Sequence, residues 1–205
     1  MRVGILGGAF NPPHIGHLVC AQEALVRLGL DQVALIPMGR APHREIDPEP
    51  GAETRLTLTE HATAGDDRLS VSRIEIDRDG PSYTVETVRG LHERDPSAEL
   101  FLILGGDQAA AFASWREPEA ILELATVAVV PRSGSPREQI VAAIEPLAGA
   151  DRIVFFEMPR LDVSSTLVRR RVAAGEPITY LVPEAVAGAI EADGLYRAET
   201  PVGAG

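Results

Sequence analysis

Val3-Gly4-Ile5-Leu6-Gly7-Gly8-Ala9-Phe10-Asn11-Pro12-Pro13-His14-Ile15-Gly16-His17 runs from an apolar block through paired glycines and paired prolines to two histidines. Val3 to Leu6 reads as a short buried strand. Gly16 to Leu28 reads as a helix, because Leu18, Ala21, Leu25 and Leu28 recur at helical spacing and Gly29 follows the last of them. Between strand and helix, the glycines permit positive φ and let a ligand approach the backbone. The proline pair stiffens the turn. Gly16 leaves room for a phosphate at the helix entry, where unpaired N–H groups and the positive end of the dipole favour an anion. No small-residue cleavage pattern follows the apolar start, so it reads as a first strand rather than a signal peptide.

Working outward, apolar blocks at 33–37, 69–76, 100–104, 127–130 and 153–156 read as further strands. Helical patterns fall at 53–64, 84–93, 118–124, 138–147, 166–174 and 184–191, and 40–51 is a polar, proline-rich loop. Short strands that are apolar throughout and alternate with helices predict a parallel sheet covered on both faces. The expected architecture is α/β, a doubly wound parallel sheet in a single domain over residues 1–197, with a flexible tail over 198–205. In such sheets ligands sit beyond the carboxyl ends of the strands, where the strand order reverses. Four unusual segments follow strand ends, at 7–17, 38–44, 105–107 and 159–169, and together they point to one nucleotide site.

A length of 205 residues suits one domain with one substantial core. The formal net charge of −11 argues against nucleic acid and anionic membrane as partners. No apolar run reaches the roughly 18 residues that span a bilayer. Cys20 is the only cysteine, which rules out an intrachain disulfide and fits the cytoplasm; it reads as a buried, inert thiol. All 19 basic residues are arginine. With no lysine there is no Walker-type phosphate loop, no Schiff base and no lysine general base. Phosphates must be gripped by Arg, His, hydroxyls and backbone N–H groups.

His14 and His17, three residues apart at a helix entry, can donate to the oxygens of one triphosphate. A metal-binding pair and a turn with incidental histidines are the competing readings, although no Cys, Glu or further His stands nearby to complete a zinc site. Near the other end of the chain, Val163-Ser164-Ser165-Thr166-Leu167-Val168-Arg169 opens a helix with Ser164 or Ser165 as N-cap. A capped helix with a basic face would account for it. A cation in the first turn, however, opposes the helix dipole, and Arg169 is better explained by an anion bound there.

Gly8, Phe10, Asn11, Pro12, His14, Gly16 and His17 together resemble the G-x-F-[D/N]-P-x-H-x-G-H signature of the HxGH nucleotidyltransferases. Residues 163–169 resemble that superfamily's second motif, [I/V]-S-S-T-x-[I/V]-R. The resemblance implies the Rossmann-like fold of the nucleotidyltransferase type. It also implies ATP contacts from Gly7, Gly8, Ala9, Phe10, His14, Gly16, His17, Gly105, Asp107, Ser165, Thr166 and Arg169, with His14, His17, Arg44 and Arg169 catalytic. Two departures stand out: Asn11 where Asp is common, and Ala9 where a hydroxyl residue often stands.

Within the superfamily, Ala41-Pro42-His43-Arg44, Gly80 to Thr87, Gly105-Gly106-Asp107, Trp115 and Val130-Pro131-Arg132 resemble segments of the nicotinate-mononucleotide adenylyltransferases. That implies mononucleotide contacts from His43, Arg44, Tyr83, Thr84, Trp115 and Arg132. Each piece also has a plainer reading: a polar loop, a helix cap, a core tryptophan, a surface arginine. The implied reaction joins ATP and nicotinate mononucleotide to give deamido-NAD and pyrophosphate in NAD biosynthesis. Mg²⁺ would be carried with ATP, with no protein metal site; a homo-oligomer is left open. The amide mononucleotide as acceptor, a pantetheine-phosphate transferase and a nucleotide sensor without turnover are the alternatives. A classical dinucleotide oxidoreductase lacks its G-x-G-x-x-G fingerprint here.

Overall fold

The computed structural model describes residues 1–41, 46–131 and 136–198. In chain order the elements are β1 (Arg2–Gly8), α1 (Ile15–Leu28), β2 (Gln32–Pro37), α2 (Ala52–Thr63), β3 (Leu69–Val71), α3 (Thr84–Arg94), β4 (Glu99–Gly105), α4 (Gly106–Ala110), α5 (Pro118–Leu124), β5 (Ala125–Val130), α6 (Arg137–Ile144), β6 (Ile153–Phe155), α7 (Ser165–Ala173) and α8 (Glu184–Ala192). The six strands form one parallel sheet in the order β3-β2-β1-β4-β5-β6. The direction of winding reverses between β1 and β4, as a doubly wound sheet requires.

Side chains along each strand alternate between the two faces, and this alternation divides the core. Ile5, Ile36, Leu102, Leu104, Val127 and Val129 pack against α3, α5 and α6 through Val85, Val88, Ile121, Leu122, Ile140 and Ile144. Leu6, Val33, Leu35, Phe101, Ile103 and Val130 pack on the opposite face against Ala21, Ala24 and Leu25 of α1. A third cluster, with Leu58, Val168, Val186 and Ile190, joins α2, α7 and α8. Burial on both faces is why the strands read as continuous apolar blocks.

Gly29 closes α1 in the left-handed region, at φ 61°, with its N–H on the Leu25 carbonyl, a cap that glycine adopts without a Cβ penalty. Gly4 has a packing reason instead. A Cβ there would lie 2.9 Å from both Leu30 and Val33 and 3.0 Å from Ile103, so β1 and β2 meet over a side chain that is absent.

Three expectations need correction. The strand expected over 69–76 ends at Val71, because the chain turns at Arg73, whose carbonyl receives the N–H groups of Ile76 and Asp77. Helix α4 carries no apolar periodicity long enough to predict and was not expected. Cys20 is only half-buried, since it stands one turn beyond Gly16 on a face of α1 that opens to a cavity. Of the expected tail, residues 199–205 lie outside the described residues. No helix among the described residues is long and apolar enough to cross a membrane.

Gly4→Val forces branched methyls into this close-packed seam. It should destabilise the protein by about 1–3 kcal/mol, measured as a lower midpoint in chemical denaturation with an unchanged slope.

Candidate active site

Two cavities open at the carboxyl ends of the central strands. The first, about 400 Å³, is lined by Gly7 to Asn11, Gly16, His17, Gly105, Asp107, Ser165, Thr166 and Arg169, among others. The second, about 430 Å³, is lined by Met38, Ala41, Glu75, Ser82 to Thr84, Thr87, Trp115 and Arg116. Gly7, Gly8, Asp107 and Gln108 border both. The two cavities therefore meet at the ends of β1 and β4, the point where the sheet changes direction, and the glycines keep that junction open.

His14 is the N-cap of α1 and is buried; its ring lies against that of His17, with centroids 3.8 Å apart and planes tilted by 30°. The His14 backbone N–H donates to Nδ1 of His17 at 3.1 Å. Because Nδ1 accepts, the proton of the neutral ring sits on Nε2, and His17 becomes a directed donor. Phe10 meets the His17 ring edge-on at 4.9 Å. Of the twelve residues expected to contact ATP, all but His14 line the first cavity. His17 lines the cavity, and the buried His14 ring packs against it and over Gly16. A Cβ on Gly16 would lie 3.0 Å from the His14 ring.

The two distant motifs are hydrogen-bonded to one another. The Ser165 hydroxyl donates to the Pro12 carbonyl at 2.8 Å, and Nη1 of Arg169 donates to the Asn11 carbonyl at 2.8 Å. The second arm of Arg169 reaches the Asp47 carbonyl at 3.5 Å. Ser164, not Ser165, is the N-cap of α7, with its Oγ accepting the Leu167 N–H. Arg169 is consequently the fifth residue of α7 rather than part of the first turn, and two carbonyls already use its guanidinium. Dipole opposition alone is a weaker argument for an anion at Arg169 than the sequence suggested. The N-termini of α1 and α7 still both open on the cavity through Gly16, His17, Ser165 and Thr166.

Several organising residues escaped sequence reasoning. Arg55 of α2 is fully buried and donates to the carbonyls of Ala9 at 2.9 Å, Met38 at 2.7 Å and Gly39 at 3.3 Å, and to Glu49 at 3.0 Å. It ties the phosphate-side turn to the exit of β2. The Asn11 amide donates to the Pro48 carbonyl and its Oδ1 accepts the Tyr196 hydroxyl, both at 2.7 Å. A carbonyl can only accept, so this pairing fixes which way the amide points, and the donor is one that an Asp carboxylate at position 11 would lack. Burial holds the Tyr196 hydroxyl well above the usual tyrosine range, which keeps it a donor. Nothing in the sequence separates Arg55 from a surface arginine; its neighbours Leu56, Leu58 and Thr59 mark a buried helix, but not which polar residue turns inward.

In the second cavity, Tyr83 is the N-cap of α3 and Thr84 its first residue, as expected. Trp115 packs its ring 5.4 Å from Phe112 and borders the cavity, so packing and ligand contact are both open to it. Arg116 lies over the Tyr83 ring at 4.7 Å. His43, Arg44 and Arg132 lie outside the described residues.

Residues 5–171 match the cytidylyltransferase-like family model. A protein of Corynebacterium kroppenstedtii described as a probable nicotinate-nucleotide adenylyltransferase is 43% identical over 203 residues, 99% of this chain and 94% of its own. Proteins of the same description from a Roseiflexus species and Thermus thermophilus are 46% and 42% identical, covering 95% and 96% of this chain and 98% and 100% of theirs. The chain belongs to the nicotinate-nucleotide adenylyltransferase family. The solved structure of Plasmodium falciparum nicotinic acid mononucleotide adenylyltransferase complexed with NaAD superposes with a TM-score of 0.76 over 95% of this chain and 97% of that one; at 15% identity it speaks for the fold alone.

Arg55 fastens the turn after β1 to the exit of β2 through carbonyls on both. Arg55→Met leaves three part-buried carbonyls without this donor and replaces a fully buried, hydrogen-bonded guanidinium. It should cost about 3 kcal/mol or more of unfolding free energy, with Arg55→Lys falling between parent and Met in the same denaturation experiment.

Proposed function

We infer that the protein transfers the adenylyl group of ATP to nicotinate mononucleotide, forming deamido-NAD and releasing pyrophosphate. The supporting observation is the junction at Gly7, Gly8, Asp107 and Gln108. A triphosphate laid along the first cavity and a mononucleotide in the second would bring their phosphates together there. The acceptor phosphate oxygen attacks the α-phosphorus, the bond to the bridging oxygen breaks, and that oxygen leaves on pyrophosphate. The acceptor is already an anion at neutral pH, so no general base is required. The task is to align two polyanions and neutralise charge as it moves to the leaving group.

Under this reading the Nε2–H of His17, the Arg169 guanidinium, the Ser165 and Thr166 backbone and the N-termini of α1 and α7 receive the β- and γ-phosphates. His14 orients His17 through its backbone N–H and ring. By their motifs, His43, Arg44 and Arg132 are assigned to the mononucleotide, and Arg44 also to the charge that develops on the leaving pyrophosphate. Tyr83, Thr84 and the face of Trp115 would hold the mononucleotide base, an aromatic stack worth about 1 kcal/mol. Asp107, at the junction, can accept ribose hydroxyls. Mg²⁺ enters as part of MgATP; the described lining of the first cavity includes two carboxylate residues, Asp47 and Asp107, a sparse set that suits an ion that keeps most of its water. With the negative net charge and the single cysteine, nucleic acid and membrane are not partners in this reading, and the cytoplasm is its place.

Purified protein with MgATP and nicotinate mononucleotide should release pyrophosphate and yield deamido-NAD, identified by mass; parallel runs with the amide mononucleotide give the preference. His17→Ala should lower kcat by about 10² while circular dichroism stays that of the parent. Near-normal turnover in this variant would refute the role given to His17.

A further inference from the structure

Among the described residues, Glu75 is the only buried carboxylate, and the adenylyl transfer outlined above does not use it. It follows the short strand β3 and borders the second cavity. Burial pushes its carboxyl up; the hydroxyls of Thr87 and Ser82 and the charge of Arg78 pull it back.

The surrounding hydrogen bonds leave the carboxyl one role. A serine hydroxyl has one proton and two lone pairs. The Ser82 oxygen accepts the N–H groups of Gly39 at 3.1 Å and Arg40 at 3.2 Å, so its proton is left for Glu75. The Thr87 hydroxyl accepts from Arg78 at 3.2 Å and gives its proton to Oε1 of Glu75 at 2.7 Å. Glu75 thus ends the Arg78–Thr87 chain as its acceptor, and the Ser82 hydroxyl, with both lone pairs engaged, has its proton left to point toward the same carboxylate. The backbone adds to the grip: the Ser82 N–H donates to the Arg40 carbonyl at 2.8 Å, and the Glu75 carbonyl occupies the space a Cβ on Gly39 would need. Ser82 fastens the segment that leaves β2 to the segment that enters α3, and Glu75 braces that junction, with its carboxylate on Thr87 of α3 and its backbone carbonyl against Gly39. Met38 and Ala41 flank the first, Tyr83 and Thr84 continue the second, and all four line the cavity.

We propose that Glu75 is a positioning residue for the acceptor: it sets the spacing between the β2 exit and the α3 N-terminus, and hence the fit of the mononucleotide. The inference rests on reading the second cavity as the acceptor's. Glu75→Gln supplies one acceptor oxygen where two hydroxyl protons arrive, and its amide donors face a hydroxyl that already donates. The KM for nicotinate mononucleotide should rise about tenfold, while the KM for MgATP stays within about twofold. Ser82→Ala should act in the same direction, and the double variant should be no worse than the worse single one, because both changes open the same link. Steady-state kinetics with each substrate varied in turn, alongside thermal unfolding, tests this. An unchanged mononucleotide KM in folded variants, or equal rises for both substrates, overturns the proposal. Should Glu75→Gln not fold, Ser82→Ala decides by the same criterion. A parent protein that does not use nicotinate mononucleotide overturns the acceptor reading and this proposal together; an active parent without the split overturns the proposal alone.

Discussion

The turn from Ala9 to Pro13 is held in place by residues far away in the chain. Arg55 takes the Ala9 carbonyl, Arg169 the Asn11 carbonyl, Ser165 the Pro12 carbonyl, and Tyr196 the Asn11 side chain. These bonds are made to a backbone segment that lies outside both sheet and helix and whose carbonyls would otherwise go unpaired inside the protein. They turn a loop into a rigid platform. A platform is what phosphate recognition needs, because misplacing a donor by an ångström forfeits much of the benefit of alignment. The same bonds make the end of the chain part of the site, so α7, α8 and the residues after them are structural partners of β1.

The sheet supplies the other half of the geometry. In a parallel sheet every strand ends on the same side, and the order β3-β2-β1-β4-β5-β6 parts the loops to opposite faces between β1 and β4. A crevice opens there without any special sequence. Gly7, Gly8 and Gly105 then keep the crevice from filling with side chains.

Sequence periodicity sufficed for the sheet because burial on both faces makes each central strand a continuous apolar block, with β4 and β5 the clearest cases. It failed for β3, where the apolar alternation runs on through Ile74 and Ile76 although the chain has already turned. The phosphate motif was legible because glycine, proline and histidine at fixed spacing restrict the backbone and the donors directly. Arg55, Glu75 and Tyr196 were not, because a charged or polar residue turns inward only when distant groups arrive to satisfy it, and those groups are chosen by the fold. The pairing of His14 and His17 lies in between. Their proximity follows from spacing at a helix entry, but which nitrogen of His17 is left to donate depends on the hydrogen bond from the His14 backbone to Nδ1 of His17.

A protein with a formal net charge of −11 that gathers anionic substrates must create its attraction locally. Without lysine it cannot use flexible point charges for this. The described part of the first cavity instead presents an imidazole N–H with a fixed tautomer, a guanidinium anchored by two carbonyls and the N-termini of two helices. Most of these donors are neutral groups or partial charges held by the backbone, and they require little reorganisation when a triphosphate arrives. Arg169 is the exception in carrying a full charge, and it is also the group that binds the first motif to the second. The charge that would receive the leaving pyrophosphate and the bond that aligns the two motifs therefore reside in one side chain, so recognition and alignment are not separable at this position.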